Sequence, residues 1–157
     1  MGLDMYLKAS KYVSGFEHSD KEEVSKFNKI VKAIGLNKKN IAAKYCPGLT
    51  VEVNIGYWRK ANAIHKWFVD KVQNGVDECQ RSYVSREQLK ELLILCNKVL
   101  NNSNDASASL PTQSGFFFGG LEYDDGYIDD IKNTIEIINN ALSDKFDGYE
   151  FYYRGSW

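Results

Sequence analysis

Within the stretch IGYWRKANAIHKWFVD, residues 55–70, stand two tryptophans, a tyrosine, one of the chain's two histidines, and Arg59 and Lys60 side by side. The stretch leaves an alternating apolar segment at Gly56 and is expected to enter a helix running to about Gln73, with Arg59 and Lys60 in its first turn. A helix N-terminus carries partial positive charge and unpaired backbone donors, so two cations there are unfavourable by a few tenths of a kcal/mol each, about 0.3 or more. An anion would reverse that sign. Backbone donors, dipole and both cations would converge on one phosphate or carboxylate, with Gly56 permitting close approach and Tyr57 and Trp58 offering rings for a base to stack on. The alternative is that Arg59 and Lys60 point into solvent while Trp58 and Trp67 fill the core.

His65 falls among Ala61, Ile64, Phe68, Val69 and Val72 on the helical wheel, which is the position of a buried histidine with satisfied ring nitrogens. Its ordinary pKa also suits proton transfer, although no nucleophile partners it in sequence. Asn62 lies on the neighbouring flank, placed to share a polar pocket with it.

A second candidate is Leu110–Gly120, LPTQSGFFFGG. Thr112, Gln113 and Ser114 bring hydrogen-bonding groups, and the flanking glycines expose backbone amides. Three successive phenylalanines cannot share one side of a strand, so one of them, with Phe116 the candidate, is expected to face a pocket or a partner. The competing reading is a short buried strand. The segment is not a P-loop, since it lacks the terminal Gly-Lys-Ser/Thr. The acidic residues Glu122, Asp124, Asp125, Asp129 and Asp130 do not have the spacing of an EF-hand loop. They stand where carboxylates favour a helix dipole, and no metal or cofactor is expected.

Elements to position these groups are legible from periodicity. Leu3, Met5, Leu7 and Ala9 alternate with polar residues as a half-buried strand, and Leu49–Ile55 alternates likewise. Ser19–Glu22 has capping-box spacing before a helix with Val24, Phe27, Ile30, Val31 and Ile34 on one face, ending at Gly35. Ser85–Gln88 is a second capping box, opening a helix with Leu89, Leu92, Leu93, Cys96, Val99 and Leu100 inward. Asn101–Ser109 is small and polar and reads as a loop. A last helix, from about Asp124 to Leu142, carries Ile128, Ile131, Ile135, Ile138 and Leu142, and Tyr149–Arg154 alternates as a terminal strand. The expected fold is a single α+β domain, 1–157, with a small, mainly antiparallel sheet packed with about four helices.

Composition narrows the function classes. The 157 residues are 43% hydrophobic and 26% charged, with a net charge of −1, so duplex nucleic acid and anionic membranes find no global attraction. No apolar run approaches spanning length. The three cysteines have no metal-ligand spacing and read as free thiols of a reducing cytosol. The first residues, MGLDMYLKAS, have no basic leader before an apolar core, and Tyr6 stands where myristoylation asks for Ser or Thr. A cytoplasmic protein is therefore expected, and the many aromatics make a homo-oligomer plausible, a two-fold dimer being the commonest form.

Three segments, MGLDMYL, the GYWRKANAIHKWFVD block, and LPTQSGFFFGG with the acidic helix and the ending FYYRGSW, are similar to a family of small proteins encoded by bacteriophages and prophages. That resemblance covers most of the chain and implies expression in a bacterial host cell, among host-takeover and counter-defence factors. It supplies no catalytic residue set. The resulting expectation is a binding protein that sequesters a small nucleotide-derived anion, such as a host immune second messenger. The alternatives are an interaction protein that blocks a host protein, and a nucleotide-processing enzyme using His65 and an acidic residue.

Overall fold

The computed structural model describes residues 2–41 and 45–157. Its four strands are β1 (Asp4–Ser14), β2 (Gly48–Arg59), β3 (Ser82–Val84) and β4 (Glu150–Ser156), which form one antiparallel sheet in the order β2-β1-β4-β3. Five α-helical segments accompany them: α1 (Lys21–Ala33), α2 (Asn62–Lys71), α3 (Arg86–Asn101), the single turn α4 (Ala106–Ser109) and α5 (Asp125–Ala141). The α+β class with a small antiparallel sheet is as the periodicity indicates. The chain forms two compact units, one of residues up to Ala9 together with Val53–Trp157, the other Ser10–Glu52.

In the larger unit the period-two pattern of β1 does what it predicts: Leu3, Met5, Leu7 and Ala9 are wholly buried. They share a core with Trp58 of β2, Val84 of β3 and Phe151 and Tyr153 of β4. Helices α2, α3 and α5 supply the other side of that core through Ile64 and Phe68, Leu89, Leu92, Cys96 and Val99, and Ile131 and Ile138. α3 and α5 run against each other, and the Ser85 capping box that opens α3 is present with both reciprocal bonds, Ser85 Oγ accepting from Gln88 N and Gln88 Oε1 from Ser85 N. The strand β3 was not apparent from the sequence. Three residues are too short to show a period, and β3 exists by pairing with β4, Tyr83 opposite Tyr152 and Val84 opposite Phe151.

β2 also differs from the expectation of a strand ending at Ile55. It continues through Gly56 to Arg59, and helix α2 starts three residues later than Arg59, at Asn62. The reason is local packing. A Cβ at Gly56 would lie 2.5 Å from Ile137 Cγ2 of α5 and 3.2 Å from Leu7 Cβ. Glycine lets the strand pass under α5 rather than breaking it. Arg59 is thus the last strand residue and Lys60 forms the turn, so neither lies in a helical first turn.

In the smaller unit Val13, Phe27 and Val31 are buried together, with Ile30, Ile41, Leu49 and Val51 packed around them. A Cβ at Gly15 would be 2.5 Å from the Phe27 ring, which fixes the need for glycine where β1 ends. The N-cap of α1 is Asp20 rather than Ser19. Its Oδ1 accepts from Glu22 N at 2.8 Å and Glu23 N at 3.3 Å, while Ser19 Oγ is taken up by Ser14 Oγ at 2.8 Å. At the other end, Gly35 (φ +79°) closes a Schellman motif, with its N–H on Lys32 O and that of Leu36 on Val31 O.

The three cysteines are unpaired, Cys46 exposed and Cys96 buried, where burial alone pushes the Cys96 thiol up to about 12. Among the described residues no helix is long and apolar enough to cross a membrane.

Candidate functional site

The turn between β2 and α2 is built on an uncommon backbone. Lys60 adopts φ +60°, a left-handed conformation that costs a non-glycine residue about 1–2 kcal/mol. It is held there by Lys60 N donating to Leu3 O at 2.8 Å and Asn62 N donating to Lys60 O at 2.8 Å. Gly119 lies directly against it, where a Cβ would come within 3.2 Å of Lys60 Cβ and 3.3 Å of Lys60 O. The N-cap of α2 is Ala61, so no side chain caps the first-turn amides.

Asn62 explains how the second sequence candidate reaches the first. Its Nδ2 donates to Phe118 O at 3.0 Å and Gly120 O at 2.7 Å, and its Oδ1 accepts from Gln113 N at 3.0 Å. All three side-chain bonds go to the backbone of the 110–120 segment, which is a loop with no strand in it. Thr112 Oγ1 closes the same loop by donating to Leu121 O at 3.0 Å. Asn62 thereby clamps the loop across the start of α2.

Between the two lies a cleft of about 310 Å³. One wall is Arg59, Lys60 and the start of α2 through Ile64; a second is Thr112, Gly119 and Gly120; the third is acidic, with Glu122, Asp124 and Asp130. Arg59 and Lys60 are exposed, and among the described residues neither forms an ion pair. Asp124 is committed to capping α5, accepting from Tyr127 N at 3.0 Å. Asp130 is different. It is half-buried, and its carboxyl is raised to about 6, first by burial and then by the nearby charges of Asp129 and Asp124. Among the described residues no group of three or more His, Cys, Asp or Glu side chains is arranged to hold a metal ion.

Of the residues singled out from sequence, Arg59, Lys60, Asn62 and Thr112 line this cleft. The others stand elsewhere. Tyr57 lies on the sheet, its hydroxyl donating to Asp4 Oδ1 at 2.5 Å. Trp58 is 1% exposed, with Nε1 donating to Thr134 Oγ1 at 2.8 Å and its ring edge-on to Phe68. His65 is wholly buried between Tyr153 and Asp77, as its helical-wheel position indicates. Gln113 takes part through its backbone, while Ser114 and Phe116 face solvent, Phe116 being 95% exposed beside a buried Phe118. The three phenylalanines do therefore occupy different environments. Gly119, Gly120 and Asp130 escaped notice as cleft residues. The only sequence signal for Asp130 was its place in an acidic run, which reads equally as helix stabilisation.

The raised Asp130 carboxyl predicts a pH dependence. The folded state keeps the proton up to about pH 6, whereas an ordinary carboxyl loses it near 3.8. The stability contributed by the protonated form is thus fully present below about pH 4 and lost as pH rises through 6. Asp130→Asn, neutral at every pH, is expected to exceed the parent in stability above pH 6 by about 1 kcal/mol, after allowance for solvent screening of a partly exposed group. The gap should close towards pH 4 in thermal melts taken at intervals between pH 4 and 8. A gap that is constant over that range would show that the carboxyl is not the titrating group.

No protein-family model matches the chain, and no curated protein or solved structure shows significant similarity to it.

Proposed function

We propose that the chain is a binding protein for a small nucleotide-derived anion, held in the cleft at the start of α2 and sequestered rather than converted. The observation that carries this reading is the convergence of the uncapped α2 N-terminus with Arg59 and Lys60 on one side of a cleft of ligand size. The anionic group of the ligand faces that wall. The acidic wall opposite adds a second requirement, because Glu122 and Asp130 accept hydrogen bonds. A ligand that carries both a phosphate and amine donors, as a purine nucleotide does, meets both walls. The strained Lys60 turn fits the same role, since left-handed non-glycine residues gather at ligand clamps. The resemblance to bacteriophage proteins supports a counter-defence setting, in which the cargo is a host immune signal such as a cyclic oligonucleotide or an ADP-ribose derivative.

Titration calorimetry with a panel of cyclic dinucleotides, ADP-ribose derivatives and mononucleotides tests the reading. At least one is expected to bind at micromolar concentration or tighter. Lys60→Glu and Arg59→Ala should each weaken it about 10–100-fold, the equivalent of a charge-assisted hydrogen bond. Binding should strengthen as pH falls through 6 and Asp130 loses its negative charge. Absence of heat across the panel at 100 μM protein, on the order of a weak-ligand ceiling, would end the proposal.

A second reading has one specific observation in its favour. A half-buried carboxyl that titrates near 6 in a cleft is suited to general acid–base work on a bound nucleotide. Turnover of the bound ligand, abolished in Asp130→Asn with affinity retained, would move the protein from sponge to enzyme.

A further inference from the structure

Within the larger unit, the face of the sheet opposite α2, α3 and α5 carries a tyrosine on every strand. In the order β2-β1-β4-β3 these are Tyr57, Tyr6, Tyr152 and Tyr83. Strand alternation puts them there, since their neighbours Trp58, Met5 and Leu7, Phe151 and Tyr153, and Val84 all point into the core. The rings form two pairs. Tyr6 and Tyr57 have centroids 5.4 Å apart, and Tyr83 and Tyr152 have centroids 5.9 Å apart. Tyr83 is 57% exposed and Tyr57 46%. The guanidinium of Arg81 lies 3.3 Å above the Tyr152 ring and extends that pair with a flat cationic surface.

Between the pairs runs a groove of about 360 Å³, lined by Asp4, Tyr6, Lys8, Asn54, Arg154 and Ser156. Its floor is polar and holds Lys8 and Arg154 beside Asp4, with Arg154 Nε donating to Cys79 O at 3.1 Å. Asp4 accepts from Tyr57, and Glu150 accepts from Tyr152 at 2.8 Å. The pattern is ring pair, cationic groove, ring pair, across a width of about 14 Å for four strands.

We propose that this sheet face binds single-stranded nucleic acid, with bases stacked on the two tyrosine pairs and the intervening phosphates over Lys8 and Arg154. A single strand presents unstacked base faces to exposed rings, whereas a duplex keeps its bases stacked within. Among the described residues no aliphatic side chain lines the groove between the ring pairs, so the floor matches a phosphodiester backbone better than the apolar side chains of a protein partner. This surface is separate from the cleft at α2 and does not depend on it.

The test uses the full chain and a fluorescein-labelled 12-nucleotide oligouridylate or oligothymidylate, followed by anisotropy in about 50 mM salt. Micromolar binding is expected, with a salt slope of about −0.7 for each phosphate contact on a single strand, and weaker binding of the matching duplex. Tyr6→Ala with Tyr57→Ala should reduce affinity at least about 10-fold, the usual effect of losing base stacking. Tyr83→Ala, a change at an exposed ring, should reduce it severalfold and guards against misfolding of the double variant. Lys60→Ala should leave oligonucleotide affinity unchanged while weakening the small ligand of the cleft, so failure of either proposal is read separately. No binding at 100 μM protein, on the order of the non-specific limit, overturns the inference. Binding indifferent to both tyrosine variants, or a duplex bound as tightly as the single strand, overturns it as well. So does a partner captured through this face that is a folded protein insensitive to nuclease.

Discussion

Replacing Trp58 by alanine is expected to cost about 3–5 kcal/mol of folding stability, the range for removing a large buried aromatic and leaving a cavity. For a chain of this size that lowers the melting midpoint on the order of 10 °C. The residue joins three elements. It ends the buried run of β2, its ring edge meets Phe68 of α2 with centroids 5.9 Å apart, and its indole N–H donates to Thr134 of α5. Thr134 Oγ1 in turn donates to Asp130 O at 2.7 Å, so the chain of bonds ends at the backbone of the cleft's titrating residue. Trp58→Phe isolates the polar part. It keeps most of the apolar volume and removes only the donor, with an expected cost of about 1 kcal/mol from the lost bond plus a smaller packing term. Urea denaturation of both variants separates the two. Equal losses for Phe and Ala would mean that the hydrogen bond, rather than the filled volume, is the larger contribution.

His65→Ala is expected to cost about 3 kcal/mol, by a different mechanism. A carboxylate only accepts, so His65 Nε2–H donates to Asp77 Oδ2 at 2.9 Å, leaving Nδ1 to accept from the Tyr153 hydroxyl at 2.7 Å. Burial, with the charges of Asp77 and Cys79, raises Tyr153 well above the ordinary phenol range, which keeps that hydroxyl a donor. Trp157 Nε1 donates to the other Asp77 oxygen at 3.2 Å, so the network ties the end of the chain to α2. Removing the imidazole leaves the Tyr153 hydroxyl buried with no acceptor, a penalty of about 1–3 kcal/mol before any cavity is counted. Tyr153→Phe should cost less, about 1–2 kcal/mol, because it leaves only Nδ1 unpaired. The double variant should cost measurably less than the sum of the singles, since each single strands the other's partner. Strict additivity in this cycle would show that the bond contributes nothing beyond packing. In contrast, loss of ligand binding without loss of stability would move His65 out of the core role altogether.

Both residues stood among the sequence candidates for ligand contact, and the physical reason is that their chemistry serves either place. An indole N–H or an imidazole reads the same whether it meets a ligand or a neighbouring helix. Arg59 and Lys60 differ because no core accommodates an unpaired guanidinium or ammonium, so their exposure followed from residue type alone. What could not follow was the opposite wall. Asp130 reaches the cleft because α5 packs over β2 at Gly56, a contact across 81 residues between Gly56 and Ile137.

The same division runs through the fold. Local pattern was enough for β1, the α3 capping box and the isoleucine stripe of α5, because each is specified by side chains two to four residues apart. Long-range packing was needed for the rest. β3 is a strand because β4 offers it hydrogen bonds, β2 passes Gly56 because α5 occupies the space a side chain would need, and the 110–120 loop lies over α2 because Asn62 binds three of its backbone groups. In each case the determining partner lies at least 50 residues away, beyond the reach of any periodicity in the chain.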